Sequence, residues 1–289
     1  MKRKQALKNL AALGAVPMIA PYFSTKAGEL KSPLELKGNI KHSVCRWCYQ
    51  DIPLEEFCEK VAAIGLKSVE LLTEKEWPVA QQYGLTCAMA TYPNASLTEG
   101  FNHTNNHEQL QAIYKPLIPK VADAGLPNLI CFSGNTNALT DAEGIENCAV
   151  GLAPLVRLAE KHGVVICMEL FNTKVDHPGY QCASTAWGTA LVDKIGSPNF
   201  KLLYDIYHMQ IMEGDIIATI RKYGDYFAHY HTAGVPGRHE IDDQQELNYK
   251  AIMQAIVDTG FSGYVAQEFI PTMADPLAAL AQGVTICDV

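Results

Sequence analysis

Short apolar runs recur along the chain, and each is followed by a polar segment and then by a stretch with helical spacing. The runs are rich in Val, Ile, Leu, Cys and aromatic residues. Runs of this kind, bounded by turn residues, are typical of buried β-strands. They predict eight strands, at residues 42–45, 68–72, 86–90, 128–132, 164–170, 201–204, 226–231 and 263–268.

The segments between the runs carry apolar residues three and four positions apart, which indicates amphipathic helices. One such stripe is formed by Leu54, Phe57, Cys58, Val61 and Ala62. Several predicted helices end at a glycine shortly before the next strand. Glycine readily adopts the left-handed conformation that stops a helix. The glycines at these positions are Gly65, Gly84, Gly125, Gly163 and Gly260.

The alternation of strands and helices predicts an α/β fold with a parallel sheet. Eight units without a break in composition favour closure into a single (β/α)₈ barrel, a TIM barrel, over residues 42–289. An open, doubly wound sheet that binds a nucleotide is the alternative. It is disfavoured because no G-x-G-x-x-G motif follows the first predicted strand.

The N-terminus has the layout of an export signal. An apolar run at residues 10–20 is preceded by basic residues and followed by small residues at 24–27. The stretch RKQALK resembles a twin-arginine signal with Lys in place of the second Arg. We therefore predict an export signal at residues 1–27, a linker at 28–41 and an exported, periplasmic protein. The alternative is an ordinary amphipathic helix on a cytoplasmic protein, against which Pro17 and Pro21 argue.

Charge and hydropathy narrow the range of partners. The formal net charge is −8, and it becomes −13 when the five cations of residues 1–27 are removed. Such an acidic surface repels phosphate backbones, so no nucleic acid is expected as a partner. No apolar stretch after the signal is long enough to span a membrane. A small molecule is therefore the expected partner, and a homo-oligomer remains open.

The nine cysteines do not indicate a disulfide framework, since their number is odd and no spacing recurs. Cys45 and Cys48 form a C-x-x-C pair. Without a second pair it is weak support for zinc or redox chemistry, and we predict no role for it.

Four consecutive predicted strands end in polar side chains of a kind that is uncommon in a hydrophobic core. The residues are Glu169, Asp205, His231 and Glu268, separated by 36, 26 and 37 residues, each about one strand–helix unit. In a barrel these strand ends share one mouth, where active sites lie. A carboxylate in an apolar run is costly unless it is paired or binds a metal. Three carboxylates and one imidazole suit Mn²⁺ or Mg²⁺, with Co²⁺ also possible.

Each of the four has an ordinary alternative on its own, such as a helix cap for Asp205 or a satisfied core histidine for His231. His229 lies on the same strand face as His231, because side chains alternate with period two. We choose His231 as the metal ligand since it lies nearer the strand end.

Three segments resemble the hydroxypyruvate isomerase family, which belongs to the xylose-isomerase-like barrels together with ketose 3-epimerases and endonuclease IV. They are residues 205–210 (DIYHMQ), 235–240 (VPGRHE) and 246–249 (ELNY). The resemblance is strongest over residues 164–271, whereas the first half matches only at scattered positions such as Gly65 and Glu70.

The resemblance implies that the four strand-end residues bind the metal and that His208 and Arg238 bind substrate oxygens. Hydroxypyruvate isomerases tend to have Gln where His231 stands, whereas ketose epimerases have His. The loop at residues 241–245 also departs from the family's shorter version. Both departures leave the substrate open.

The expected reaction removes a proton from the carbon beside a carbonyl and returns it elsewhere or on the other face. A divalent metal stabilises the enediolate that forms. Glu169 and Glu268 can act as the base and the acid from opposite sides of the substrate. We therefore predict an isomerase that converts hydroxypyruvate to tartronate semialdehyde, with a ketose 3-epimerase or another sugar isomerase as the alternative.

Two other function classes stay open. A metal-dependent hydrolase or lyase would need further His, Asp and Glu ligands, and a non-catalytic sugar-binding barrel would not need paired carboxylates. Two side chains also have alternative interpretations. Arg238 can be a surface residue paired with Asp242 or Asp243. Trp47 can form a wall for the substrate or belong to the core.

Overall fold

Seven parallel strands form one sheet, in the order β2-β1-β7-β6-β5-β4-β3. In the computed structural model, which describes residues 34–289, the strands are β1 (Lys41–Cys45), β2 (Ser68–Glu70), β3 (Asn128–Cys131), β4 (Val165–Glu169), β5 (Phe200–Asp205), β6 (Phe227–Thr232) and β7 (Tyr264–Gln267). The helices are α1 (Leu54–Ile64), α2 (Trp77–Gln82), α3 (His107–Asp123), α4 (Asp141–His162), α5 (Thr185–Ile195), α6 (Ile206–Met212), α7 (Ile216–Tyr223), α8 (Tyr249–Asp258) and α9 (Pro276–Cys287).

The predicted third strand, residues 86–90, lies between the two edge strands and closes the sheet into a ring. Its backbone forms parallel bridges to the β2 side at Ser68 and Leu72, and to β3 at Leu129. The predicted single TIM barrel is thereby confirmed. Seven of the eight strand positions in the barrel are regular strands. The third position, residues 86–90, is not.

Side chains explain why residues 86–90 do not form a regular ladder. The Ala88 N–H donates to Ser68 Oγ over 2.9 Å, and the Asn128 side-chain amide donates to the Ala88 carbonyl over 2.8 Å. Polar side chains from both neighbouring strands thus pair with backbone groups that a regular ladder would use.

The glycine stops occur where the sequence predicts them, and all five have a positive φ. Gly65 ends α1 with φ 113° and donates its N–H to the last turn. A β-carbon at Gly65 would also lie 3.2 Å from Leu36 Cδ1. At this position both the backbone conformation and the close packing require glycine.

Residues 34–40, ahead of β1, pack against the barrel. The Leu34 N–H donates to the Ile64 carbonyl over 3.2 Å, and the Lys37 N–H donates to Asp288 over 2.8 Å. These residues belong to the predicted linker, 28–41. The predicted export signal at 1–27 lies outside the described residues. Within residues 34–289, no helix is both long and apolar enough to cross a bilayer.

The inside of the barrel is partly polar. Glu70 on β2 contacts His229 and His231 on β6, although two strands lie between β2 and β6 in the sheet. These side chains therefore meet across the interior of the ring, below the mouth where the strands end.

Candidate active site

The structure brings the four predicted strand-end residues together in one buried cluster. Glu169 ends β4, Asp205 ends β5, His231 lies on β6 and Glu268 directly follows β7. One ligand atom from each lies within 4.8 Å of the others. None of the four residues is more than 3% exposed.

The spacing of the donor atoms fits a small divalent cation. His231 Nδ1 lies 3.1 Å from Glu169 Oε1 and 2.9 Å from Glu268 Oε2. Adjacent ligand atoms of an octahedral ion with bonds of about 2.1 Å are about 3 Å apart. Three buried carboxylates also carry a negative charge that a divalent cation would offset. The residues present therefore fit the predicted metal.

The two predicted catalytic glutamates are held differently. Both oxygens of Glu268 are engaged: Trp47 Nε1 donates to Oε1 over 2.8 Å, and Arg238 Nη2 donates to Oε2 over 2.6 Å. Glu169 is held through Oε1, by His231. Trp47 thus does more than form an apolar wall, because it fixes one of the site carboxylates.

The pKa values of the cluster diverge. Burial and the nearby charge of Glu268 raise the pKa of Glu169 to about 7. Burial and Glu268 likewise raise the pKa of Asp205 well above its ordinary value. Burial acts in the same direction on Glu268, but the positive charges of His231 and Arg238 outweigh it and hold the pKa of Glu268 well below its usual range. Such divergence is typical of functional sites.

The side chain of Asn172, in the loop after β4, determines the tautomer of His208. Asn172 Oδ1 accepts hydrogen bonds from the N–H groups of Val175 and Asp176, which fixes the orientation of the amide. Its Nδ2 then donates to His208 Nδ1 over 2.7 Å. His208 is therefore a neutral imidazole with its proton on Nε2.

That Nε2–H is buried and has no hydrogen-bond partner among the described residues. It lies 3.7 Å from Asp205 Oδ2, at the cluster. Burial and the positive charge of Arg238 also lower the pKa of His208 well below its ordinary value. His208 is thus placed to donate a hydrogen bond into the site.

A tight turn after β6 directs Arg238 into the mouth. Gly237 and Arg238 have φ values of 95° and 60°, in the left-handed region. The guanidinium lies over the rings of Trp47 and Tyr207, at 5.1 and 5.5 Å, and pairs with Glu268. Its side chain is 11% exposed. The alternative of a surface Arg paired with Asp242 or Asp243 is therefore wrong.

Glu70 contacts the cluster, although the sequence analysis did not select it as a candidate site residue. It ends β2, is fully buried, and contacts both histidines of β6. The signal that singled out Glu169, a carboxylate at the end of an apolar run, is also present at residues 68–72.

The cysteines near the site are free thiols. Cys45 and Cys48 are not bonded to each other, and Cys45 Sγ lies 3.7 Å from His231 Nε2. Burial raises the pKa of both thiols well above the ordinary value, which keeps them protonated and weakly nucleophilic.

Comparison with curated proteins finds relatives named as isomerases. A mouse protein provisionally named hydroxypyruvate isomerase is 24% identical over 260 residues, 83% of this chain and 91% of that one. The hydroxypyruvate isomerase of Escherichia coli is 31% identical over 148 residues, 51% of this chain and 57% of that one. A human protein with the same provisional name is 36% identical over 104 residues, so the match spans 36% of this chain and only 38% of that relative.

Solved structures share the fold. The AP endonuclease, family 2, of Brucella melitensis superposes with a TM-score of 0.75 at 22% identity, over 84% of this chain and 97% of that one. An L-ribulose 3-epimerase superposes with a TM-score of 0.70 at 16% identity, over 85% and 92%. The sequence profile described as xylose isomerase-like TIM barrel matches residues 58–285. This match covers most of the chain, which therefore belongs to the xylose isomerase-like TIM-barrel family.

Proposed function

We propose that the protein is a divalent-metal-dependent isomerase of a small hydroxy-carbonyl compound, of the type that converts hydroxypyruvate to tartronate semialdehyde. The observation that carries the proposal is the pair of buried glutamates, Glu169 and Glu268, which approach the same nitrogen of His231. A binding module would have no need of two such carboxylates beside one cation site.

Glu169, Asp205, His231 and Glu268 would hold the cation, with Mn²⁺ or Mg²⁺ favoured by the oxygen-rich donor set. When bound, the cation supplies positive charge that stabilises the two oxygens of an enediolate. Its binding also offsets the mutual repulsion of three carboxylates in a buried site.

The chain's own residues would move the proton. The reaction takes a proton from the hydroxyl-bearing carbon of the substrate and adds one to the neighbouring carbonyl carbon. The hydroxyl proton passes to the former carbonyl oxygen, so that the carbonyl changes place without net oxidation. One glutamate accepts the proton and the other supplies one. We assign these roles to Glu169 and Glu268 as a pair, because they come from strands on different sides of the cluster.

Arg238 and His208 would orient the substrate. The guanidinium of Arg238 is planar and can bind a carboxylate through two parallel hydrogen bonds, which suits hydroxypyruvate. Its stacking on Trp47 and Tyr207 holds that plane in place. The Nε2–H of His208 would donate to a substrate hydroxyl or carbonyl oxygen.

A ketose 3-epimerase is the second candidate. It is favoured by His231, since an imidazole at this position resembles the ketose epimerases, and it uses the same pair of glutamates. A 3-epimerase substrate has no carboxylate for Arg238, and this difference separates the two proposals experimentally.

The test is to incubate metal-stripped full-length protein with hydroxypyruvate or with a panel of ketoses, and to restore Mn²⁺. Proton NMR follows the formation of tartronate semialdehyde or of the C3 epimer. We expect Mn²⁺-dependent conversion of hydroxypyruvate and a slower reaction when the transferred hydrogen is replaced by deuterium. Conversion of ketoses alone would establish the epimerase instead. If no compound of either class is converted with Mn²⁺, Mg²⁺ or Co²⁺, both proposals are wrong.

A further inference from the structure

Glu70 lies at the centre of a hydrogen-bonded group beneath the cluster. Its Oε1 lies 2.8 Å from His231 Nε2 and 2.8 Å from His229 Nε2. Its Oε2 accepts a hydrogen bond of 2.5 Å from Ser43 Oγ. Glu70, Ser43 and both histidines have no exposed surface. The group is therefore shielded from water, and its hydrogen bonds are formed among side chains of this protein.

The contacts of Glu70 determine the protonation of the His231 ring. An ionised carboxylate accepts hydrogen bonds and donates none, so His231 must present an N–H at Nε2. The other ring nitrogen, Nδ1, faces Glu169 and Glu268 at 3.1 and 2.9 Å. With the Nε2 proton held by Glu70, Nδ1 is the nitrogen that would release its proton and offer its lone pair to a cation.

The backbone at Glu70 is also unusual. The next residue, Leu71, has a φ of 57°, a left-handed conformation that a non-glycine residue rarely adopts. Its N–H nevertheless donates to the Met89 carbonyl over 2.8 Å. The end of β2 is thus held in an uncommon conformation directly beside the carboxylate.

We infer that Glu70 is a positioning residue for the metal site: it accepts the Nε2–H of His231 and so presents Nδ1 to a divalent cation. This inference rests on the proposed metal-dependent function and adds to it a residue outside the four ligands. Glu70 acts through His231, since its contacts are on the far side of that ring. Carboxylates that orient a ligand histidine in this way also increase the basicity of its donor nitrogen.

The same carboxylate binds His229, which offers an internal contrast. The Nδ1 of His229 is buried without a hydrogen-bond partner among the described residues, whereas the Nδ1 of His231 lies between two site carboxylates. Two histidines on one strand face thus donate to one oxygen, and only one of them reaches the cluster.

The test measures Mn²⁺ binding to the metal-stripped full-length protein by calorimetry. Glu70→Gln keeps the size and one acceptor oxygen but removes the charge, and Glu70→Ala removes the acceptor altogether. We expect the Kd for Mn²⁺ to rise about tenfold in Glu70→Gln, and by roughly 10–100-fold in Glu70→Ala, the range typical of such outer partners. Circular dichroism checks that each variant is folded. If Glu70→Ala fails to fold, Glu70→Gln decides the outcome.

Ser68→Ala is the matched control, because Ser68 is equally buried on the same strand and touches none of the four cluster residues. Its Kd should stay within about twofold of the wild-type value. A second readout is the NMR spectrum of the Co²⁺-loaded protein. His231 should give a hyperfine-shifted N–H proton that exchanges slowly with water, and Glu70→Ala should speed this exchange.

The outcomes separate this inference from the proposed function. If the wild type binds Mn²⁺ and both folded Glu70 variants bind it equally well, the positioning role is wrong and the metal site stands. An equal loss in Ser68→Ala and the Glu70 variants would also overturn it, since the effect would then be general to β2. If the wild type binds neither Mn²⁺ nor Co²⁺, the metal-dependent function and this inference fail together.

Discussion

The two halves of the barrel carry different parts of the site. The half formed by β4–β7 supplies the four cluster residues together with His208 and Arg238, the groups that we expect to face the cation and the substrate. The half formed by β1–β3 and residues 86–90 supplies Glu70 and Trp47, which contact those groups from behind or beside.

This difference between the two halves follows from the closed shape of the barrel. Residues on opposite sides of the ring face each other across the interior, so one half can present the groups that we propose as metal ligands while the other half contacts and orients them. The sequence resemblance to the hydroxypyruvate isomerase family is also strongest at residues 164–271, which include β4–β7. The role that we infer for Glu70 is harder to recognise from the sequence, because its partner His231 lies 161 positions further along the chain.

The largest effect is expected from the two glutamates of the half formed by β4–β7. Glu169→Gln and Glu268→Gln keep the side-chain size and a ligand oxygen but cannot accept a proton. Turnover should fall by roughly 10²–10⁴-fold, with a smaller change in KM. The measurement is steady-state kinetics at saturating Mn²⁺, since either change can also weaken metal binding.

Glu160→Gln is the control for these variants, since Glu160 lies on α4 and binds Ser197. It should leave turnover unchanged. Near-normal turnover in both site variants with metal bound would refute the acid–base roles.

The next effect concerns the metal. Asp205→Asn and His231→Ala each remove a donor to the cation. We expect the Kd for Mn²⁺ to rise beyond the roughly 10–100-fold that is typical when an outer partner is lost. Metal analysis of the purified variants, with circular dichroism to confirm folding, measures this. Full metal occupancy in both variants would show that these residues are not ligands, and the contrast between the two halves would then lose its basis.

Much of the fold could be predicted from the sequence because its signals are local. Apolar runs and glycine stops such as Gly65 and Gly163 depend on neighbours a few positions away. These local signals located all eight strand positions of the barrel. The irregularity of residues 86–90 could not be predicted. It arises because Ser68 and Asn128, distant in sequence, bind the backbone of Ala88.

The site divides in the same way. Polar residues at strand ends identified the cluster, because the barrel topology alone brings those ends together. The tautomer of His208 could not be predicted, since it follows from the amide orientation of Asn172. The contact of Trp47 could not be predicted either, because only the closed barrel brings its indole N–H to Glu268.

A smaller effect is expected from the supporting half at Trp47. Trp47→Phe keeps a ring for Arg238 to stack on but removes the hydrogen bond to Glu268 Oε1. A hydrogen bond to a charged group contributes about 1.5–3 kcal/mol. We expect kcat/KM to fall by at least about tenfold, with the Kd for Mn²⁺ changed less. Unchanged kinetics would mean that this half does not support Glu268.

The smallest functional effect is expected at Ser68, the residue on β2 that binds the irregular segment 86–90. Ser68→Ala leaves the buried N–H of Ala88 without its hydrogen-bond partner. An unsatisfied buried group costs about 1–3 kcal/mol, so urea denaturation should show a lower free energy of unfolding by about this amount. Ser68 lies on the same face of β2 as Glu70, because side chains alternate along a strand, and its side chain binds Ala88 and none of the four cluster residues. The activity of the folded protein should therefore remain at the wild-type level. A loss of activity comparable to that of Trp47→Phe would mean that the first half supports the site through its whole interior and not through individual contacts.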